Sequence, residues 1–235
     1  MPDDLTLTAP TRIGTRATLA VPSALSLRLF GPTPHADAVR AFRLARRTFI
    51  AGDRIEMGAL ATQLGVERTS LFRWVGNRDD LLSEVLWSLA ERTLDRAAEE
   101  STATGPERIV DILGRFVDGL VTADYFRDFL AREPARALRL MTTGDSEIQR
   151  RYVAAVEWLL EDHAPDAGTR GLSLHDLAYL IVRISESFSY ADVIAGEQPS
   201  AEHARAAFAM LLGTAPRTTA ADPAADRAAD PEESA

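Results

Sequence analysis

Apolar residues recur along most of the chain at the three- and four-residue spacing of amphipathic helices. No stretch alternates apolar and polar residues in the way that a half-buried strand does, so the pattern predicts an all-α protein. Gly, Pro and Ser clusters separate the periodic stretches and mark their ends. The predicted helices span residues 37–51, 54–64, 67–75, 78–100, 107–121, 124–132, 134–142, 146–163, 173–195 and 200–212.

These helices divide the chain into two domains flanked by two irregular segments. Residues 1–36 hold five prolines and little apolar periodicity, so we expect a disordered or loosely docked N-terminal extension. Residues 37–86 form a small helical domain, and the helix 78–100 continues from it into a larger domain over residues 87–213. Residues 214–235 are Ala, Pro, Asp and Glu with few other types, which predicts a disordered acidic tail.

The helices at 54–64 and 67–75 are joined by a turn that contains Gly65, and this arrangement is the signature of a helix-turn-helix. Ala61 is small enough for the second helix to cross closely over it. The outward arcs of the second helix carry donors, acceptors and aromatic rings suited to a DNA major groove and its flanking phosphates. These candidate DNA-binding residues are Arg68, Thr69, Ser70, Phe72, Arg73 and Trp74, with Arg78 on phosphate at the start of the next helix.

The helix-turn-helix and the start of the next helix carry a characteristic run of residues, namely Leu64, Gly65, Val66, Ser70, Leu71, Phe72, Trp74, Val75, Arg78 and Leu81. In these residues, and over residues 37 to about 86, the chain resembles the TetR family of bacterial transcriptional regulators. The resemblance implies a three-helix DNA-binding head, a helical body that dimerises and binds a small effector, and release of DNA when the effector binds. Glu56 and Glu67 depart from the family, which usually has Ser or Thr caps there, and Phe72 replaces a common Tyr.

The charge distribution agrees with a DNA-binding head on an acidic body. The whole chain carries a formal charge of −9, whereas residues 38–82 hold eight Arg against five acidic residues and so carry +3. There is no Cys, which excludes disulfides and thiolate metal sites and favours the cytoplasm. No apolar run reaches the ~18 residues of a membrane span, and Asp3 and Asp4 stand where a signal peptide has basic residues.

The helix predicted over 173–195 is apolar on most sides, which indicates one face against the core and another against a second subunit. The family resemblance implies a homodimer in which helices 173–195 and 200–212 pair with their symmetry mates. Such a dimer places two heads about 34–36 Å apart on a palindromic operator.

The body also offers candidates for an effector site. Arg183, Glu186 and Ser187 interrupt the apolar helix, where they either form an internal ion pair or anchor the polar end of a ligand. The aromatic residues of the body either pack the core or wall a pocket for an acyl or lactone-like amphiphile. The candidates are Phe116, Phe126, Phe129, Met141, Tyr152, Trp158, Arg183, Glu186, Ser187 and Tyr190.

No phosphate-binding loop, nucleophile motif or metal-ligand spacing occurs, so we expect no enzyme activity, no catalytic or metal site and no cofactor. The favoured interpretation is a transcriptional regulator, and a repressor in particular. The alternative is a helical dimer that serves as a protein-interaction module and has lost DNA binding, for which Glu56, Glu67 and the acidic composition argue.

Overall fold

The computed structural model describes residues 12–214, and the regular elements in that part of the chain are all helical, as the pattern predicted. A short 3-10 helix, Pro165–Arg170, lies between two of the α-helices. The α-helices are α1 Ile13–Ala20, α2 Ala24–Phe30, α3 Ala36–Ile50, α4 Met57–Leu64, α5 Arg68–Val75, α6 Arg78–Glu100, α7 Gly105–Val121, α8 Asp124–Arg132, α9 Pro134–Thr142, α10 Glu147–His163, α11 Leu174–Ser189, α12 Ala191–Ile194 and α13 Ala201–Leu212.

The N-terminal extension differs from the expectation, because residues 12–36 form two packed helices. Helix α1 lies against α6 and α10, and α2 lies against α3, α5 and α6. Pro22 precedes α2, where Ser23 caps the helix by accepting a hydrogen bond from the Ser26 amide, so this proline separates the helices without preventing them. Ala17, Leu25 and Leu29 are buried. The expectation of disorder or loose docking is therefore wrong for residues 12–36, while residues 1–11 lie outside the described part.

The head consists of α3, α4 and α5. Helix α4 begins at Met57, three residues later than predicted, and ends at Gly65, whose φ of 69° lies in the left-handed region. This turn brings α5 against α3 and α4. Asn77 then caps α6, because its side chain accepts from the amides of Asp79 and Asp80 while Asp80 accepts from the Asn77 amide.

Helix α6 passes from the head into the body, where it packs on α7 and α10, while α10 packs on α11 and α13 packs on α7. The helix predicted over 173–195 is interrupted at Tyr190, whose φ of −117° and ψ of 21° end α11. The Tyr190 ring is buried, 6.0 Å from the Phe126 ring. The prediction of one continuous helix is wrong there because the chain turns where this side chain enters the core.

The two remaining expectations concern the C-terminal tail and membrane-spanning helices. The tail predicted over 214–235 lies outside it except for Thr214. Among residues 12–214, no helix is long and apolar enough to cross a membrane.

Candidate DNA interface and effector cavity

Helix α5 has one face in the core and one in solvent. Leu71 and Val75 are fully buried against the head. The other face exposes Arg68, Thr69, Phe72 and Arg73, with the Arg68 guanidinium 5.3 Å from the Phe72 ring centre, and Ser70 is half-buried. The predicted set Arg68, Thr69, Ser70, Phe72 and Arg73 therefore lies on one helix whose polar donors are open to a ligand.

Trp74 lies at the end of this helix and is only half-exposed. Its ring is 6.0 Å from that of His35, and its carbonyl accepts a hydrogen bond of 3.2 Å from the Arg28 Nη1. The end of α2 and the start of α3 thus brace the C-terminal end of α5. The sequence analysis did not anticipate this contact with the N-terminal extension.

Arg78, predicted to contact a phosphate, is held by partners within the protein. Its Nε donates to the Ile55 carbonyl at 2.6 Å, and its Nη1 and Nη2 donate to the two carboxylate oxygens of Glu133 at 2.8 and 2.6 Å. The side chain is only 14% exposed. The hydrogen bond from Arg78 lowers the pKa of Glu133. In this structure Arg78 ties the head to the body through a residue 55 positions away, which local spacing does not reveal, and its contact with a phosphate stays a prediction.

Asp79 extends this connection. It accepts hydrogen bonds from Arg136 and, at 2.5 Å, from Arg139. Burial alone would raise the pKa of Asp79, but the hydrogen bonds from these two arginines lower it. The first turn of α6 is therefore joined to α9 by a set of charges that we call the α6–α9 ionic network, consisting of Arg78, Asp79, Glu133, Arg136 and Arg139.

The body contains a small cavity of about 40 Å³. Helices α6, α7, α8, α10 and α11 contribute most of its wall. Six of the ten predicted effector residues lie on it, namely Phe116, Phe126, Met141, Tyr152, Glu186 and Tyr190. The full lining is Leu86, Trp87, Leu89, Ala90, Thr93, Phe116, Leu120, Tyr125, Phe126, Met141, Ile148, Gln149, Tyr152, Ser185, Glu186 and Tyr190.

The other four predicted residues lie elsewhere. Phe129 packs against Phe49 of the head, with ring centres 5.5 Å apart. Trp158 lies under the Arg16 guanidinium of α1 at 4.3 Å. Arg183 is half-buried and pairs with Glu186 without lining the cavity itself, and the exposed Ser187 donates to the Arg183 carbonyl. These four do not line the cavity in this structure, because helical spacing alone does not show which neighbour a face meets, and their contact with an effector stays a prediction.

Sequence reasoning also missed residues of the wall. Five of them lie on α6, whose apolar band is broad enough for contacts on two sides, namely Leu86, Trp87, Leu89, Ala90 and Thr93. That apolar band was the feature of the sequence from which these wall residues could have been predicted. The Trp87 indole also donates to the Thr18 hydroxyl of α1 at 2.7 Å, so α1 holds part of the wall in place.

Polar groups gather at one part of the cavity. The Tyr152 hydroxyl donates to the Ser185 hydroxyl at 2.9 Å. Glu186 is 6% exposed, and the Arg183 Nη2 lies 3.0 and 2.7 Å from its two oxygens. Burial raises the pKa of Glu186 to about 7 although Arg183 acts to lower it. The same Nη2 donates to the Thr142 carbonyl at the end of α9 at 3.2 Å.

Across residues 12–214, no group of three or more His, Asp or Glu side chains is placed to hold a metal ion. Helix α5 presents hydrogen-bond donors to solvent, and the body contains a largely apolar cavity.

Comparisons with known proteins show which proteins this chain is similar to. A model of the tetracyclin repressor-like C-terminal domain matches residues 104–213. The chain is similar to the R. erythropolis transcriptional repressor QsdR of the TetR family, with 34% identity and a TM-score of 0.67 over 75% of this chain and 94% of that one. A search of curated proteins found no match. The chain belongs to the TetR family of DNA-binding transcriptional regulators.

Proposed function

We propose that the protein is a homodimeric repressor that binds a palindromic operator through α5 and leaves it when a small apolar or amphiphilic effector enters the cavity. The observation that carries the DNA-binding part is the division of α5 into a buried face, with Leu71 and Val75, and an exposed face of donors, with Arg68 and Arg73. A helix held in this way presents a fixed set of donors to base edges and phosphates. The repressor role follows the name of QsdR, the similar protein.

The size of the cavity supports a two-state mechanism. Pockets that hold small ligands enclose roughly 300–1,000 Å³, whereas this cavity encloses about 40 Å³. An acyl or lactone-like effector therefore fits only if side chains or helices of the wall move apart. A ligand that binds an expanded state and not the closed one shifts the population towards expansion.

Two helices contact both the cavity and the head, and they connect expansion to DNA binding. On α8, Tyr125 lines the cavity and its ring centre lies 5.9 Å from that of Phe49 in α3. On α9, Met141 lines the cavity, while Arg136 and Arg139 hold Asp79 through the α6–α9 ionic network. Displacement of α8 and α9 would therefore change how the head is held on the body.

The proposed dimer uses α11 and α13, which correspond to the predicted helices 173–195 and 200–212. Their outer surfaces expose apolar side chains, with Leu180 37% and Met210 80% exposed. Ala206 is exposed on α13 and Ile184 is half-buried on α11. Apolar side chains combined with small residues permit close packing against a second copy around a two-fold axis.

The DNA-binding part is tested by replacing Arg73 with Ala and measuring affinity for a duplex selected by the wild-type protein. The matched control is Arg96→Ala, which removes the same charge from an exposed site near the far end of α6. Loss of a base contact predicts weaker binding by about 1–3 kcal/mol for Arg73→Ala, with Arg96→Ala close to the wild type. Equal affinities for both variants would remove Arg73 from the interface.

A further inference from the structure

The effector cavity has an uneven charge distribution. Among its lining residues, Glu186 is the single charged side chain, and the rest of the wall is aromatic, aliphatic, hydroxyl or amide. The other polar side chains of the wall are uncharged, namely the amide of Gln149 and the hydroxyl-bearing Thr93, Tyr125, Tyr152, Ser185 and Tyr190. An effector in this cavity thus has one carboxylate to satisfy and a largely apolar space to fill.

The positive partner of Glu186 does not line the cavity. The Arg183 guanidinium stacks at 5.3 Å on Tyr179, an exposed residue on the outer side of α11, and also bonds to the Thr142 carbonyl. Arg183 gives one contact to each Glu186 oxygen. Since a carboxylate has about four lone-pair positions, acceptor capacity remains on Glu186 for a group on the cavity side.

We propose that the polar end of the effector is a hydrogen-bond donor, such as an amide N–H, a hydroxyl or an ammonium, that binds the Glu186 carboxylate, while its apolar remainder lies against Phe116, Phe126 and Met141. This inference rests on the proposed effector site and specifies the chemistry of the head group. A donor on the effector adds a hydrogen bond to the Glu186 carboxylate, whose two oxygens each have one contact with Arg183. An anionic head group meets the Glu186 charge in a water-poor space, where like charges repel more strongly than in water.

A competing account makes Glu186 purely structural, with Arg183 as its complete partner. That account predicts that head-group preference does not depend on Glu186. The proposal predicts that the protein prefers a ligand with a hydrogen-bond-donating head group only while residue 186 carries a carboxylate.

The test measures binding of octylamine, 1-octanol and octanoate to the full chain by calorimetry in the absence of DNA. The three probes share one apolar tail. At pH 8 Glu186 is mostly ionised because its pKa is about 7. We expect octylamine and octanol to bind the wild type at least about tenfold more tightly than octanoate, because they donate a hydrogen bond to the Glu186 carboxylate whereas the octanoate charge is repelled by it.

Two variants assign this preference to the site. Glu186→Gln should bring the three affinities within about threefold of one another because it removes the charge and keeps the shape. Glu161→Gln removes an exposed carboxylate of α10 and should keep the wild-type preference, which controls for attraction of the amine to an acidic protein.

The proposal is overturned if octanoate binds the wild type as tightly as octylamine, if Glu186→Gln keeps the preference, or if none of the three probes binds. If the Glu186 variant does not fold, the affinities of the three probes for the wild-type protein still test the proposal. Because DNA is absent, these outcomes are separate from those of the Arg73 experiment.

Discussion

Arg151 of α10 offers a sharp test of how the N-terminal helices are held. Its side chain is fully buried and that of Glu84 in α6 is 2% exposed. The Nη1 and Nη2 of Arg151 donate to the Glu84 oxygens at 3.2 and 2.9 Å, and its Nε donates to the Val21 carbonyl at 2.9 Å. The Ser23 hydroxyl donates to Glu84 at 2.5 Å. One buried ion pair therefore joins α6, α10 and the α1–α2 connection.

Replacing Arg151 with Met keeps much of the volume and removes the three hydrogen bonds that Arg151 donates. Glu84 is then a buried carboxylate with only the Ser23 hydroxyl among its described partners. Removing one member of a buried pair costs about 3–5 kcal/mol, and we expect the free energy of unfolding to fall by that amount. Hydrogen exchange should also rise across residues 13–30, because the anchor at Val21 is lost.

The double variant Glu84→Leu/Arg151→Met isolates the electrostatic part. With both charges absent, the cost of a lone buried charge disappears, so the double variant should be more stable than Arg151→Met. It should remain below the wild type by about 1–3 kcal/mol, because the Val21 carbonyl still lacks its donor.

The assay is equilibrium urea unfolding at one fixed protein concentration, because the proposed dimer would make the apparent stability depend on protein concentration. Two optical probes should give coincident transitions, which supports a two-state treatment. The reasoning is refuted if Arg151→Met loses less than about 1 kcal/mol, well below the cost of an unpaired buried charge, or if the double variant is less stable than the single one.

Three further predictions follow from other contacts. Glu133→Gln breaks the charged pair with Arg78, so the free energy of unfolding in urea should fall by about 1–3 kcal/mol; a loss no larger than that of the exposed-site control Glu161→Gln would contradict it. Leu180→Glu places a charge on the proposed dimer face, so sedimentation should show monomer where the wild type is a dimer, and an unchanged dimer would exclude that face. Burial raises the pKa of Glu186 from its ordinary value of 4.5 to about 7, so this group contributes stability that is present below pH 4.5 and lost as the pH rises through 7. Relative to Glu186→Gln, the wild type should lose at most about 3 kcal/mol between pH 5 and pH 8 in urea unfolding, and parallel pH profiles would refute this.

The parts of the fold that depend on local physics were predictable from the sequence. The helix-turn-helix follows from apolar spacing and from Gly65, which adopts the left-handed conformation that closes α4. The cap of α6 follows from Asn77 and Asp80, three residues apart. Each of these signals acts within one or two helical turns, so it is visible in a short window of sequence.

The N-terminal helices were not predictable in the same way, because distant polar groups hold them. The Gly14 amide donates to Asp95, the Thr15 hydroxyl donates to Glu91, and Arg151 reaches the Val21 carbonyl across 130 positions. Burial raises the pKa values of Glu91 and Asp95. A short helix with few apolar residues looks unstable by itself, and the partners that stabilise it are identifiable only once α6 and α10 are in place.

The candidate sites also combine residues that were predictable from local sequence with residues that depend on tertiary contacts. The exposed residues of α5 were predictable because Leu71 and Val75 fix which face is buried. The role of Arg78 was not, because its partner Glu133 lies at the junction of α8 and α9. For the cavity, residue type indicated which side chains are apolar, but tertiary packing decides that Tyr152 lines it and Trp158 does not.

The central claim is that this chain recognises specific DNA through α5. The most direct test selects duplexes from a randomised pool with the wild-type protein and then titrates salt against the selected duplex and a scrambled one. The account predicts enrichment of a palindromic sequence, preference for it over the scrambled duplex, and an affinity that falls steeply as salt rises. Failure to enrich any sequence, with equal weak binding to both duplexes, would contradict the claim and favour a protein-interaction module.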